Sequence, residues 1–422
     1  MRNGVALAIL ASALNWQSVS AQMPTASQPT GSASLPGGPL EAPIHQTMSP
    51  ANCPTCGVTP TQAMFEGARP APQFWFEFDY LSWWIKGVSL KPPTLTSGST
   101  ADAIPGAIGQ AHTQILLGNH QFEFGALSGV RPIFGFAINE DHTMGFEFEG
   151  FLLEHGVARQ GFVSNPGTPN TYLPYIDTNG VQQALPFTVP GQVLGTSFTK
   201  GQSWLGSAEG NYFCGCVANL GDWNLRASML AGVRYLDLSD EVVIRNHLVQ
   251  ASNPNITATG EDTFSTRNEF FGGQVGVKVA LQWYAWTVEA TAKLGIGEVH
   301  QTSSVSGSPL LETTGGGGTL QPGPLLALGS NIGRQSADEF VLLPDFGVKL
   351  RLDCKENVAV TLGYNYLYWN KILSPGDQMD PRVNITQLPN RGPFTGPSLP
   401  APQFVRSNFF AQGLSAGIEF KY

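Results

Sequence analysis

The chain has 422 residues and a mass of 45.1 kDa, yet charged residues make up only 13% of it, against roughly 25% in an ordinary soluble domain. Lys and Arg total 22 against 31 Asp and Glu, and the sequence has no run of basic residues that could contact a phosphate backbone. Nucleic acid is therefore not an expected partner. Gly (49), Pro (31) and Phe (25) are plentiful. Because charged residues are few, the charged helix faces of a typical soluble protein are missing.

The N-terminus has the features of an export signal. Arg2 precedes an unbroken apolar run over residues 4–14, and Val19-Ser20-Ala21 is a small-residue cleavage pattern. These features predict a cleaved signal peptide over residues 1–21 and favour it over a buried N-terminal helix. No later stretch reaches the ~18 apolar residues of a membrane-spanning helix. The exported protein is therefore either soluble outside the cytoplasm or inserted in a membrane by something other than helices.

Residues 22–73 are rich in Pro, Ser, Thr, Gly and Ala and predict a disordered tether. Within it Cys53-Pro54-Thr55-Cys56 has redox-motif spacing, but no strand-helix unit adjoins it, so a local disulfide is favoured over catalysis. Cys214, Cys216 and Cys354 fall in predicted turns. The pairing of the five cysteines stays open, and no second Cys or His pair has the spacing of a zinc site.

From residue 74 onward the hydrophobic pattern has a period of two. One face of the first segment carries Phe74, Phe76, Phe78 and Tyr80, and the other carries Glu77 and Asp79. Successive side chains of a strand point to opposite faces, so the segment predicts an amphipathic strand. The alternation recurs near residues 130–138, 144–149, 223–235, 284–294, 340–352, 358–368 and 414–422. These runs are longer than the ~5–6 residues of a globular strand and suit a tilted membrane crossing.

The connections alternate between short turns (139–143 and 353–357) and long loops (156–202, 299–338 and 371–406). Short periplasmic turns and long extracellular loops are typical of outer-membrane barrels. Eleven clear strands, with residues 256–264 as a weak twelfth, predict an all-β, transmembrane, antiparallel up-and-down β-barrel of about 12 strands over residues 74–422. A soluble β-sandwich is the less favoured alternative because its exposed faces carry more charge.

The last strand and the tryptophans have predicted roles in the membrane. An amphipathic C-terminal strand that ends on an aromatic residue is a candidate signal for the outer-membrane assembly machinery, carried by Leu414, Ile418, Phe420 and Tyr422. Six tryptophans are predicted to form interfacial girdles in contact with lipid rather than a sugar-binding track: Trp75, Trp83, Trp84, Trp223, Trp286 and Trp369.

Several separated motifs resemble one family. They are residues 74–87 with Trp83-Trp84, the following Pro92-Pro93, GVRYLDL at 232–238, FSTRNEFFGGQVG at 264–276, GYNYLYW at 363–369 and PGDQMD at 375–380. Together they resemble the family described as putative beta-barrel porin 7, outer-membrane proteins of planctomycete bacteria. The resemblance covers residues 74–422, with Ser374 in place of an expected Arg. It implies a barrel and a pore but names no substrate.

Catalytic motifs are weak. Gly413-Leu414-Ser415-Ala416-Gly417 matches the nucleophile-elbow pattern, but that motif needs a strand-to-helix turn and here lies inside the last predicted strand. The seven histidines are scattered singly. We therefore expect no enzyme activity, no cofactor and no metal site.

The polar faces of the strands supply the candidate functional residues. If the apolar faces contact lipid, the lumen is lined by Glu77, Asp79, Glu147, Glu149, Glu209, Arg226, Arg234, Lys278, Glu289, Lys293, Lys349 and Arg351. Acids concentrate in early strands and bases in later ones, so closure of the barrel brings opposite charges together. The leading prediction is an outer-membrane porin for passive passage of small solutes, and the alternative is a structural or surface-display barrel with a filled lumen and partner-binding loops.

Overall fold

The computed structural model describes residues 52–53, 58–59, 73–165, 167–313, 324–388 and 391–422. The predicted signal peptide (1–21) and nearly all of the predicted disordered segment (22–73) lie outside these residues. Two short strands, β1 (Asn52–Cys53) and β2 (Val58–Thr59), pair with each other. Within the described ranges, no helix is long and apolar enough to cross a membrane.

Fifteen further strands follow along the chain. They are β3 (Phe74–Ile85), β4 (Val88–Ser97), β5 (Gln114–Phe122), β6 (Leu127–Ala137), β7 (Met144–Leu153), β8 (Gly156–Val163), β9 (Thr171–Ile176), β10 (Gln182–Thr188), β11 (Val193–Leu220), β12 (Trp223–Gln250), β13 (Asn253–Trp283), β14 (Trp286–Thr313), β15 (Gly333–Lys355), β16 (Val358–Leu373) and β17 (Arg406–Lys421). Two short 3-10 helices, η1 (Pro375–Asp377) and η2 (Ile385–Gln387), lie between β16 and β17.

Ten of these strands form a closed antiparallel ring. Its order is β3, β6, β7 and then β11 to β17 in sequence, and β17 pairs back with β3, for example Ile418 opposite Phe78. The predicted all-β, up-and-down barrel is thus confirmed. The ring has ten strands rather than the expected number of about twelve. In particular, residues 256–264 do not form a strand of their own and lie within the first part of β13, which is 31 residues long.

The side-chain pattern inverts partway along the long strands, as β12 shows. From Trp223 to Tyr235 its outward side chains are apolar, and Met229 is 65% exposed. Beyond Tyr235 the outward residues become polar, beginning with Asp237, while the inward residues change from Arg234 to Leu236 and Leu238. A lipid-facing surface must be apolar and a water-facing surface polar, so the inversion marks the membrane boundary.

The segments that connect consecutive ring strands are short at one end of the barrel and long at the other. The turns at 139–143, 221–222, 284–285 and 356–357 are short and lie at the end where the ring begins and finishes, which is periplasmic by the usual arrangement. The long segments lie at the extracellular end, but strands occupy much of the predicted loops. Residues 156–202 contain β8, β9, β10 and the start of β11, and β14 extends to Thr313. Their patterns escape detection because these strands face both water and an extracellular core.

The extracellular part has its own sheet, in the order β10-β9-β4-β5. Its apolar side chains pack against the extended upper parts of the barrel strands. One cluster joins Leu95, Leu173 and Leu185 to Leu248 of β12, and another joins Leu90 and Phe122 to Phe264 of β13. This part of the molecule is built like a water-soluble domain continuous with the barrel wall.

Candidate functional site: the barrel lumen

The structure places all twelve predicted lumen residues on the inward faces of the ring strands. Nine line one cavity of about 160 Å³ in the membrane-spanning part: Glu77, Glu147, Glu149, Arg226, Lys278, Glu289, Lys293, Lys349 and Arg351. The other three, Asp79, Glu209 and Arg234, are buried next to it in ion pairs. Their inward position follows from the alternation along each strand: successive side chains point to opposite faces, and these residues all lie on the polar face.

Arg131 of β6 lies at the centre of the charged network. Its Nη2 donates to Asp79 Oδ2 at 2.6 Å, and Nε donates to the same oxygen at 3.0 Å. Nη1 donates to Asn365 Oδ1 at 3.0 Å and to Glu149 Oε1 at 3.4 Å, and Nη2 donates to Ser415 Oγ at 3.1 Å. One guanidinium thus connects four other strands, β3, β7, β16 and β17.

Acids of early strands pair with bases of later strands across the lumen. Lys349 Nζ lies 2.7 Å from Glu77 Oε2, and Lys278 Nζ lies 2.7 Å from Glu147 Oε1. Lys293 Nζ lies 2.6 Å from Glu209 Oε1. The distribution of charge along the sequence therefore reflects contacts that form only when the ring closes.

Three charged residues that line the cavity are missing from the set predicted from sequence: Arg131, Asp345 and Glu419. Asp345 Oδ2 accepts from Arg234 Nη1 at 2.7 Å, and Glu419 Oε1 lies 3.5 Å from Arg351 Nη1. All three lie on the polar side of their strand's alternation, so the same periodicity was sufficient to find them.

An apolar layer closes the lumen above the charged network. It consists of 18 inward-facing residues that are each at most 6% exposed: Leu81, Trp83, Ile85, Leu127, Phe151, Leu153, Leu205, Leu236, Leu238, Phe270, Val299, Val341, Leu343, Leu367, Trp369, Ile372, Phe409 and Ala411. Every one of the ten ring strands contributes at least one of them. We call this layer the apolar plug.

Aromatic side chains are the largest parts of the plug. The Trp83 and Phe151 rings have centroids 4.9 Å apart, and Phe270 meets Trp369 edge-on at 6.4 Å. The prediction of lipid-facing girdles is therefore wrong for Trp83 and Trp369, which face inward. It is also wrong for Trp75, which lines the cavity.

The girdle prediction agrees with the outward exposure of the remaining three tryptophans, Trp84, Trp223 and Trp286, which are 41–43% exposed. The candidate assembly residues also face outward on the last ring strand and its end: Leu414, Ile418, Phe420 and Tyr422. Recognition of these four residues by assembly machinery stays a prediction.

The residues that match the nucleophile-elbow pattern have structural roles in the last strand. Ser415 lies inside β17 and its hydroxyl accepts a hydrogen bond from Arg131. Gly417 needs to be glycine, because a Cβ there would lie 1.9 Å from Asp79 Oδ1.

Among the cysteines, Cys214 is disulfide-bonded, whereas Cys216 and Cys354 are free and exposed. In the part of the chain that the structure describes, no group of three or more His, Cys, Asp or Glu is arranged to hold a metal ion.

Two buried carboxyl groups lie above the membrane boundary. Asp262 Oδ2 accepts from the backbone amides of Leu326 and Ala327 at 2.8 and 3.0 Å, which holds the segment before β15 against β13. Asp240 is on the inward face of β12, and its Oδ1 has no hydrogen-bond partner among the described residues. Burial raises the pKa of each carboxyl group to about 7.

Asp240→Asn is expected to reduce the pH dependence of stability. Folded Asp240 keeps a proton that the unfolded chain releases near its ordinary value of 3.8, so its contribution to stability falls as pH rises from about 4 to about 7. The Asn side chain does not titrate, so the variant lacks this pH-dependent loss in the free energy of unfolding, which amounts to about 4 kcal/mol at most. Thermal unfolding followed by circular dichroism at pH 4 and pH 8 measures it, with Asp222→Asn in an exposed turn as the control. An unchanged difference between the two pH values contradicts the prediction.

The chain matches one described family over the whole barrel. The profile of the family described as Putative beta barrel porin-7 matches residues 75–422. No curated protein shows significant similarity. Solved structures with some similarity are the outer membrane protease OmpT from Escherichia coli (8% identity, TM-score 0.38, 83% of this chain and 96% of that chain) and the toluene transporter TodX from P. putida (7%, 0.19, 84% and 91%). Similarities with TM-scores this low carry no argument about function.

Proposed function

We propose a function from the premise that this chain belongs to the Putative beta barrel porin-7 family, whose profile covers the whole barrel. The chain acts as a surface-display barrel: the membrane-spanning ring anchors the extracellular sheet and loops, and the lumen stays closed in the resting state. The observation that carries this proposal is the apolar plug, to which all ten ring strands contribute. A continuous water path cannot cross a layer of close-packed, fully buried side chains.

The charged network supports the same function. All of its ions except Arg226 form ion pairs, and these pairs tie together strands that are far apart in sequence. Rigid closure of the wall holds the extracellular part in a fixed position above the membrane. In this proposal the partners bind the extracellular face, and outer-membrane lipid surrounds the ring.

Passive passage of small solutes is the second candidate function. The specific observation in its favour is the cavity of about 160 Å³, which is lined by charged side chains. Passage through this barrel requires the plug to move, since the cavity ends below it. The two candidates differ in the conductance of the resting protein.

Single-channel recording in planar bilayers tests the proposal. We expect the refolded protein to give no steady conductance, because the plug excludes water. We expect Trp83→Ala to produce a measurable leak, since it removes a large side chain from the plug. Trp84→Ala is the matched control: the neighbouring tryptophan faces outward and is 41% exposed, so its loss leaves the lumen closed.

A steady conductance from the unaltered protein would contradict the closed barrel. If Arg226→Glu or Lys349→Glu then changed the ion preference, the porin function would be supported instead, because both side chains line the cavity. Heat-modifiable migration in gels verifies that each variant is folded before it is recorded.

Export and assembly are also part of the proposed function. Residues 1–21 are removed as a signal peptide on export, and the outward side chains of the C-terminal strand bind the assembly machinery. N-terminal sequencing of the protein from outer membranes tests the first statement: a mature chain that begins at Gln22 is expected.

A further inference from the structure

Arg226 differs from the other cations that line the cavity. Arg131, Lys278, Lys293, Lys349 and Arg351 each form at least one ion pair within 4.0 Å. Arg226 forms no ion pair and no hydrogen bond with any described residue, although it lines the same cavity. A guanidinium presents five donors in a fixed fork that matches a carboxylate, so its donors are available to a ligand.

Arg226 has no carboxylate among the described residues within 4.0 Å, and Glu289 is an acid that acts on it from a longer distance. Glu289 is on the same wall, one strand beyond Ala280, which is the register partner of Arg226. Glu289 lies 3.9 Å from Lys278 Nζ instead. Arg351 also faces the cavity. Its ion pairs are long, 3.5 Å to Glu419 and 3.7 Å to Asp353; its Nη2 donates to Thr287 Oγ1 at 3.2 Å, and its Nε donates no hydrogen bond.

The charge of the cavity limits the ligand to a small anion of low charge. The lining contains six acids, six Lys or Arg residues and His142. The acids are Glu77, Glu147, Glu149, Glu289, Asp345 and Glu419, and the Lys and Arg residues are Arg131, Arg226, Lys278, Lys293, Lys349 and Arg351. Since all the Lys and Arg residues but one are paired, one negative charge satisfies Arg226, whereas a second would be repelled by the acids around it.

The rest of the wall fits an apolar body. Trp75 and Phe213 pack with their centroids 5.8 Å apart, and Ile133 and Leu230 line the same cavity. The volume of about 160 Å³ is below the ~300 Å³ of a site for drug-sized molecules, so it suits a compact ligand.

The cavity lies toward the periplasmic end of the barrel. Trp75, Thr287 and Glu419 line the cavity and lie within three residues of the periplasmic ends of their strands. The apolar plug closes the opposite end. We propose that this cavity is a binding site for a small organic monocarboxylate that enters from the periplasm, with Arg226 as the residue that binds its carboxylate.

Isothermal titration calorimetry of the full-length, detergent-solubilised barrel with benzoate tests the proposal. We expect the unaltered protein to bind benzoate, and Arg226→Gln to weaken binding by about tenfold or more because it removes the charged donors. Arg226→Lys keeps the charge without the fork and should fall between them. Arg245→Gln, at an exposed extracellular arginine, should leave the affinity unchanged.

Two ligand controls separate the parts of the site. Benzyl alcohol keeps the ring without the charge, and acetate keeps the charge without the ring; both should bind more weakly than benzoate. Phe213→Ala should weaken benzoate binding more than acetate binding. Gel migration verifies that all variants are folded.

Three results would overturn the proposal. They are no benzoate binding by the folded protein, equal binding by Arg226→Gln, and inorganic phosphate binding as tightly as benzoate, which would indicate a general anion site. Binding at equilibrium does not depend on conductance, so this outcome is separate from that of the closed-barrel test.

Discussion

Arg131→Ala is expected to destabilise the barrel by about 3–5 kcal/mol, because it leaves Asp79 as a buried carboxylate without its ion-pair partner and leaves Glu149 with Lys293 alone. The Arg131 side chain is only 5% exposed and Asp79 is 1% exposed, so water does not replace the lost contacts. Five hydrogen bonds to four strands disappear together. Urea unfolding in detergent micelles, followed by tryptophan fluorescence, measures the change in the free energy of unfolding.

Arg245→Ala is the matched control for Arg131→Ala. Arg245 is 60% exposed and pairs with Glu261 in the extracellular part, so its removal should cost less than about 1 kcal/mol. In a background that carries Asp79→Asn, the cost of Arg131→Ala should shrink, because the acid is no longer charged. Equal costs for Arg131→Ala and Arg245→Ala would show that the lumen network does not stabilise the ring.

Trp369→Ala should also destabilise the protein by about 3–5 kcal/mol, in this case because it leaves a cavity in the plug. Trp369 is fully buried and is the largest of the fully buried side chains, and Phe270 packs edge-on against it. Neighbours from ten strands of a closed ring have little freedom to collapse into the space. The same urea unfolding measurement gives the cost.

Trp286→Ala provides the comparison for Trp369→Ala. Trp286 is 43% exposed on the outer surface, so its replacement should cost about 1 kcal/mol or less. If the two tryptophan variants unfold at the same urea concentration, the apolar layer is not a packed core. The closed-barrel proposal would then lose its main support.

The connection between the plug and function lies in the inversion of the side-chain pattern. Below the boundary at Tyr235 the ring is apolar outside and charged inside; above it the ring is polar outside and apolar inside. The upper half therefore folds around a hydrophobic core as a soluble domain does. The membrane half has a charged interior in which one cation that lines the cavity, Arg226, forms no ion pair within 4.0 Å and no hydrogen bond with the described residues.

The amino-acid sequence by itself determined the amphipathic strands of the membrane-spanning part, their faces and the class of fold. Period-two alternation is a local property, so it identified the inward position of Glu77 and Lys349 and the outward position of Phe78 without knowledge of their neighbours. It also separated the barrel from the N-terminal segments. The family resemblance agreed with the profile match over residues 75–422.

The tertiary structure decided the number of strands, the pairing of charges and the closure of the lumen. Lys349 and Glu77 are 272 residues apart, and only the register of a closed ring brings them to 2.7 Å. Trp83 and Trp84 are adjacent in sequence and equally aromatic, yet one fills the plug and the other faces outward. Whether inward side chains leave a pore depends on how many strands close the ring and at what heights the large residues meet, and both are non-local.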